Sequence, residues 1–197
     1  MMLLLLIISA GAWTLNAAAN ALPGDKLYPI KLADEQIRQA MAYDPRQRLE
    51  LERSMDQARL DEIHSLAALG RSQAVAFTGG LSQIQPGAWQ VGGIPVQVTD
   101  DARIVGQVQE GISVQVEGIL LADGHVKAEV VRPREFLIAG PLQMSTPNLW
   151  QVSGVLFQVN GETILHTLPS EGKTVRVVLF LTLDGKWLAR LVDDIQN

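Results

Sequence analysis

Ala88-Trp89-Gln90-Val91-Gly92-Gly93-Ile94-Pro95-Val96-Gln97 and Leu149-Trp150-Gln151-Val152-Ser153-Gly154-Val155-Leu156-Phe157-Gln158 are two renderings of one segment, and setting one against the other decides the fold. The spacing from Trp89 to Trp150 is 61 residues, and it holds without a gap in both directions. Toward the N-terminus Gly79 faces Gly140, Leu81 faces Leu142 and Pro86 faces Pro147. Toward the C-terminus Glu110-Gly111 meets Glu171-Gly172, Val114 and Val116 meet Val175 and Val177, and Asp123-Gly124 meets Asp184-Gly185. A match of this length implies duplication of a unit of about 60 residues, longer than most solenoid repeats and large enough for a small core of its own.

Within the first copy, apolar residues alternate with polar or small ones at Ile94, Val96 and Val98, at Ile112, Val114 and Val116, and at Val126, Ala128 and Val130. A period of two is the strand signal. Asp123-Gly124 and Asp184-Gly185 stand between alternating runs, as hairpin turns that need positive φ do. The pattern predicts five strands near residues 74–84, 89–98, 102–105, 112–121 and 125–132, with equivalents one repeat later. Five antiparallel strands are best closed into a small OB-like Greek-key barrel, because closure hides edges that would otherwise template aggregation.

The chain ahead of the repeat divides in two. Residues 1–24 carry no charged side chain, and Met2–Gly11 is almost wholly Leu, Ile, Ala and Gly. Such a run is directed to a membrane. The small residues of Ala17-Ala18-Ala19 and Ala19-Asn20-Ala21 suit a cleaved signal peptide, whereas an uncharged length of about 20 residues also suits a retained transmembrane helix. Both readings place the remainder outside the cytoplasm. Residues 25–71 then hold nine acids and eight bases, a mixture that fits solvated helix faces. Asp44-Pro45 marks a helix start, with Asp as N-cap and Pro in the first turn, and separates a short helix near Lys31–Ala42 from a longer one near Pro45–Leu69. Leu51, Met55, Ala58, Leu66 and Leu69 form the predicted apolar face of the longer helix. The resulting organisation is α+β: a signal or transmembrane segment over 1–24, a helical-hairpin neck over 25–72, and β-barrel copies over 73–134 and 135–197.

Two resemblances are specific. Ala21-Leu22-Pro23-Gly24-Asp25-Lys26-Leu27-Tyr28-Pro29-Ile30-Lys31 resembles the opening ALPGDxLYPxK of an uncharacterised extracytoplasmic family, in which the motif directly follows a membrane segment. Glu35, Arg38, Asp44, Arg53 and Ala58-Arg59-Leu60-Asp61-Glu62 extend the likeness over roughly residues 21–70. Some members of that family carry a cytoplasmic anti-sigma-like domain, which would have to precede the membrane segment. The repeat is similar to an uncharacterised secreted β-domain family with F-x-G, W-x-V-x-G, G-x-x-V-x-V-x-G and D-G-x-x-x-A elements, supplied here by Phe77 with Gly79, Trp89 to Gly93, Gly111 to Gly118 and Asp123 to Ala128. The second copy departs at Leu179, where the first has Gly118.

Composition narrows the chemistry. The 197 residues include 16 Lys plus Arg, 21 Asp plus Glu, three His and no Cys, for a formal charge of −5. Nucleic-acid binding is disfavoured, because counterion release needs clustered cations. Disulfides, Cys zinc sites and thiol catalysis are excluded. His64, His125 and His166 lie in separate elements without metal-ligand spacing, and Asp100-Asp101 and Asp193-Asp194 lack the alternation of a calcium loop. Val152-Ser153-Gly154-Val155 lacks the first glycine of a nucleophile elbow. No cofactor and no catalytic set is assigned.

Four residues remain as candidates for a ligand or partner surface: Trp89, Trp150, Trp187 and Glu62. Trp89 and Trp150, at equal places in the repeat, suit either a repeated core or a platform on which sugars or bases stack. Trp187 meets Val126 in the other copy and reads as a surface or interdomain contact. Glu62 interrupts the apolar helix face, as a carboxylate at its edge, as partner of an Arg on the short helix, or as a ligand-binding or catalytic group. The leading expectation is a non-enzymatic extracytoplasmic binding or scaffold module, bound to membrane lipid through residues 1–24 and presenting a surface to a protein or glycan partner. A ligand-sensing ectodomain of an anti-sigma-like signalling system, and a surface filament subunit assembled through the apolar N-terminal helix, are the alternatives.

Overall fold

A computed structural model describes residues 20–166 and 170–195. Among these residues no helix is long and apolar enough to cross a membrane. The segment 1–24, expected to enter one, lies outside the described residues except at its last five. The chain falls into two compact units that divide between Tyr43 and Asp44. The first contains helix α1 (Tyr28–Met41). The second contains helix α2 (Pro45–Ala68) and all of the β structure. The two helices, read together from the sequence as one neck, thus fall in different units.

The first β copy comprises β1 (Gln73–Gln85), β2 (Ala88–Val91), β3 (Ile94–Gln97), β4 (Arg103–Ile104), β5 (Ser113–Leu120) and β6 (Val126–Pro133). The second comprises β7 (Phe136–Thr146), β8 (Leu149–Val152), β9 (Val155–Gln158), β10 (Ile164–Leu165), β11 (Thr174–Leu181) and β12 (Trp187–Asp194). Strand order is β3-β2-β1-β5-β6-β4 in one sheet and its equivalent, β9-β8-β7-β11-β12-β10, in the other. A parallel pairing of Val96 with Val126 links β3 to β6, and one of Leu188 with Gln158 links β12 to β9. In each copy hydrogen bonding therefore runs through five strands and returns to the first.

This corrects the expected five antiparallel strands: there are six per copy, in mixed sheets. The extra strand arises because residues 89–98 fold back on themselves. Gly92 and Gly93 have φ of 56° and 80°, and their counterparts Ser153 and Gly154 have 49° and 78°. Two consecutive positive-φ residues make the tight turn whose twist matches flanking strands. A two-residue turn leaves the period-two pattern uninterrupted, so the sequence reads as one strand through it.

The departure at Leu179 has a defined outcome. Register shifts between Glu117 and Gly118 in β5 and at the equivalent step, between Val178 and Leu179, in β11. The bulge survives without glycine. At Gly118 a Cβ would lie 2.2 Å from the Lys127 carbonyl oxygen, whereas Leu179 is fully buried and serves as a core residue. The copies have solved one bend by opposite means: close backbone approach in the first, a filled interior in the second.

Packing then joins the copies. Ile112 and Thr182 form an antiparallel bridge, and the Leu183 amide donates to the Gly111 carbonyl at 3.0 Å. The Leu183 side chain rests where a Cβ on Gly80 would be, 2.1 Å from its Cδ2. The β11–β12 hairpin of one copy is thereby seated on the other.

Helix α2 is bounded as its sequence suggests. Asp44 Oδ1 accepts from the Gln47 amide at 3.0 Å, and Gly70 N to Ala67 O with Arg71 N to Leu66 O form the paired bonds of a Schellman end. The expected face holds in part: Leu66 is fully buried and Leu51, Met55 and Ala58 are half-buried, but Leu69 is 63% exposed, while Leu49 and Ile63, outside the predicted stripe, are buried. The β copies meet the helix at Leu49, Asp56 and Leu60, and Leu49 belongs to the buried core of the second copy.

Candidate functional site

Equivalent hairpins of the two copies meet the same helix. The β2–β3 turn lies against Leu60, whose methyls are 2.8 Å from a Cβ built on Gly92, and the His64 ring Nε2 is 3.1 Å from the Gly92 carbonyl oxygen. The β8–β9 turn lies against Arg46, whose Cδ is 2.7 Å from a Cβ built on Gly154. At 1.5 Å per residue, Arg46 and Leu60 are about 21 Å apart along α2. One helix thus spans both copies at matching points.

Between those points is an open cleft of about 450 Å³. It is lined by Glu50, Arg53 and Gln57 of α2, Thr78 and Ser113 of the first copy, and Phe136 and Leu181 of the second. It continues past Glu50 and Arg53 into a smaller groove of about 280 Å³ bordered by Leu156 and Trp187. Acidic, basic and hydroxyl groups are interleaved with apolar side chains.

Arg134, in the link between copies, holds two residues of that lining, Asp56 and Phe136. Its Nε donates to Asp56 Oδ2 at 2.7 Å and its Nη2 to Glu52 Oε2 at 3.1 Å, both on α2. Thr78 Oγ1 donates to the other Asp56 oxygen at 3.2 Å, and the guanidinium sits 4.3 Å above the Phe136 ring. Helix, first copy, second copy and link all converge on Arg134 and Asp56.

The expected site residues distribute as follows. Trp89 and Trp150 are 8% and 7% exposed, each inside its own copy; the Trp150 indole N–H is buried with no acceptor. Glu62 is 4% exposed and accepts from Arg59 of its own helix at 2.7 Å. Trp187 borders the groove: it meets Phe136 edge-on at 5.0 Å, with the Arg53 guanidinium 5.6 Å from its ring centroid. Of the four, the structure brings Trp187 alone to the cleft.

Arg53, Asp56, Thr78 and Arg134 were not among the candidate site residues read from the sequence. A partial signal was present, since Thr78 and Arg134 fall where the repeat breaks: Thr78 stands against Ala139, and Arg134 against Gln73 and Ile195. Among the described residues no group of three or more acidic or imidazole side chains is placed to hold a metal ion. Titration is perturbed at the equivalent β5–β6 and β11–β12 turns. The His125 amide lowers the pKa of the Asp123 carboxyl, and the Lys186 ammonium with the Thr182 hydroxyl pulls that of Asp184 from 3.8 to about 2.

Comparison with protein families matches residues 78–132 and 139–193 to one model, described as domain of unknown function DUF5666, and residues 20–84 to another, domain of unknown function DUF5667. The two DUF5666 ranges start 61 residues apart and together cover more than half of the chain. Curated proteins return no match. Among solved structures, drosophila Unr CSD456 is similar at 10% identity and a TM-score of 0.24, over 61% of this chain and 63% of that one. The chain spans less than two thirds of that structure's length.

Proposed function

Since the chain belongs to the DUF5666 family, which it contains in tandem, we propose that it is a non-enzymatic extracytoplasmic binding module held at the membrane through residues 1–24. In this reading each copy is a small OB-like barrel, and the ALPGDxLYPxK opening joins the membrane segment to α1. The observation that carries the reading is the cleft along α2, to which both copies contribute and whose acid Asp56 is engaged by Arg134 and Thr78. An acid held this way is suited to fixing a surface, not to moving protons. Interleaved Glu50, Arg53 and Gln57 with Leu181 and the Trp187 edge suit a neutral, hydroxyl-rich ligand, because sugars offer both hydrogen-bonding groups and apolar ring faces.

The test uses the full chain in phospholipid nanodiscs, titrated with defined neutral oligosaccharides and followed by tryptophan emission and product analysis. Saturable binding without turnover, lost in an Arg53→Ala, Gln57→Ala double variant, is the expected result. Turnover abolished by changing one carboxylate would overturn the proposal. A stable complex with another membrane protein would favour the sensing ectodomain, and fibres seen by microscopy the filament subunit.

A further inference from the structure

Helix α1 exposes an apolar arc, with Leu32, 36% exposed, alone on the other side. Ile30, Ile37 and Met41 are 40%, 59% and 68% exposed, and Ala33 and Ala40 between them are exposed as well. At 3.6 residues per turn these five occupy one arc of about 100°, the width of a helix face made to be covered. Lys31, Asp34 and Arg38 lie outside that arc, and Arg38 pairs with Asp34 at 2.6 Å one turn apart.

What covers the arc is indicated by what precedes it. The charge-free segment ends at Gly24, four residues before α1 begins at Tyr28. The connection is compact, with Asp25 N bonded to Leu22 O at 2.9 Å, Tyr28 N to Asp25 O at 3.1 Å, and Leu22 N to Asp25 Oδ2 at 2.9 Å. Two successive turns keep the start of α1 close to the end of the apolar segment. We infer that α1 lies in the bilayer interface, its Ile30–Ile37–Met41 arc sunk toward the acyl chains, as a second membrane contact of the chain. This rests on the proposed anchoring through residues 1–24.

The charges specify the kind of bilayer. Membrane-surface helices that bind by electrostatic attraction carry a Lys- and Arg-rich polar face. Here Lys26, Lys31 and Arg38 are matched by Asp25, Asp34 and Glu35. The contact is therefore apolar and tethered, needs no anionic lipid and is insensitive to salt.

The chain has no cysteine, so single cysteines can be labelled with an environment-sensitive fluorophore. The experiment reconstitutes the full chain in zwitterionic phosphatidylcholine vesicles and compares labels at Ala10→Cys, Ile37→Cys and Gln39→Cys, the last on the opposite side of α1. Acyl-chain quenchers should reach the labels at positions 10 and 37 and quench position 37 at least twofold more than position 39, equally in low and high salt. Quenching at position 10 without it at 37 overturns the inference and leaves the anchor standing. Absence at both positions removes the anchor itself. Protection of position 37 from aqueous quenchers without lipid quenching means that protein covers the arc, and also overturns the inference. In an Ile30→Asp, Met41→Asp variant, lipid quenching at position 37 should disappear while that at position 10 persists.

Discussion

Replacing Arg134 with alanine tests how the helix and the two copies are held together. The guanidinium makes ion pairs at 2.7 Å with Asp56 and 3.1 Å with Glu52, and all three side chains are about a quarter exposed, at 23%, 22% and 26%. Exposed pairs contribute up to about 1 kcal/mol, and truncating one partner of a fully buried pair costs about 3–5 kcal/mol. A site between those limits, with a cation–π contact to Phe136 worth about another 0.5–1 kcal/mol, should lose about 2–3 kcal/mol. For a protein of this size that is a fall in Tm of about 4–12 °C. Asp56→Asn supplies the sign. It keeps an acceptor for the Thr78 hydroxyl and removes the charge. It should therefore destabilise the native protein, yet be neutral or stabilising in Arg134→Ala, where Asp56 is left without its cation. The double-mutant cycle, read by reversible denaturant unfolding, should show a coupling of about 1–2 kcal/mol. A loss below about 0.5 kcal/mol for Arg134→Ala, or the same effect of Asp56→Asn in both backgrounds, would refute the reasoning.

Other changes probe the interior and the turns. Gly118→Ala, whose Cβ would meet the Lys127 carbonyl oxygen, should cost at least about 2 kcal/mol in denaturant unfolding. Leu179→Ala at the equivalent place should cost about 2–5 kcal/mol, by leaving a cavity and not by strain. Trp150→Phe should change stability by less than about 1 kcal/mol, because the lost ring volume is offset by removing a buried N–H that has no acceptor. Asp184, lowered from 3.8 to about 2 in the folded state, should stabilise the fold above pH 4 and lose that contribution as pH falls toward 2. The Tm difference between native protein and Asp184→Asn should accordingly close over that window, and a difference unchanged between pH 5 and 2 would contradict the assignment.

The duplication was legible because its 61-residue register runs through turns, prolines and alternating valines at once. The start of the long helix was legible too, since Asp44-Pro45 acts locally. The extra strand was not, because Gly92-Gly93 and Ser153-Gly154 turn the chain without disturbing its period of two. Nor was the cleft: Arg134 and Asp56 are 78 residues apart and nothing local in either residue names the other. The tryptophans show the opposite limit. Their equal spacing in the repeat marks Trp89 and Trp150 as one structural position, while Trp187, which breaks the repeat, is the residue at the groove.

The cleft exists only while α2 and the two copies act as one body. Native-state hydrogen exchange measures this directly. Core amides of α2, of β5 and of β11 should share one opening free energy and lose protection together in Arg134→Ala. Protection that persists in the first copy while β7–β12 exchanges independently would contradict the account.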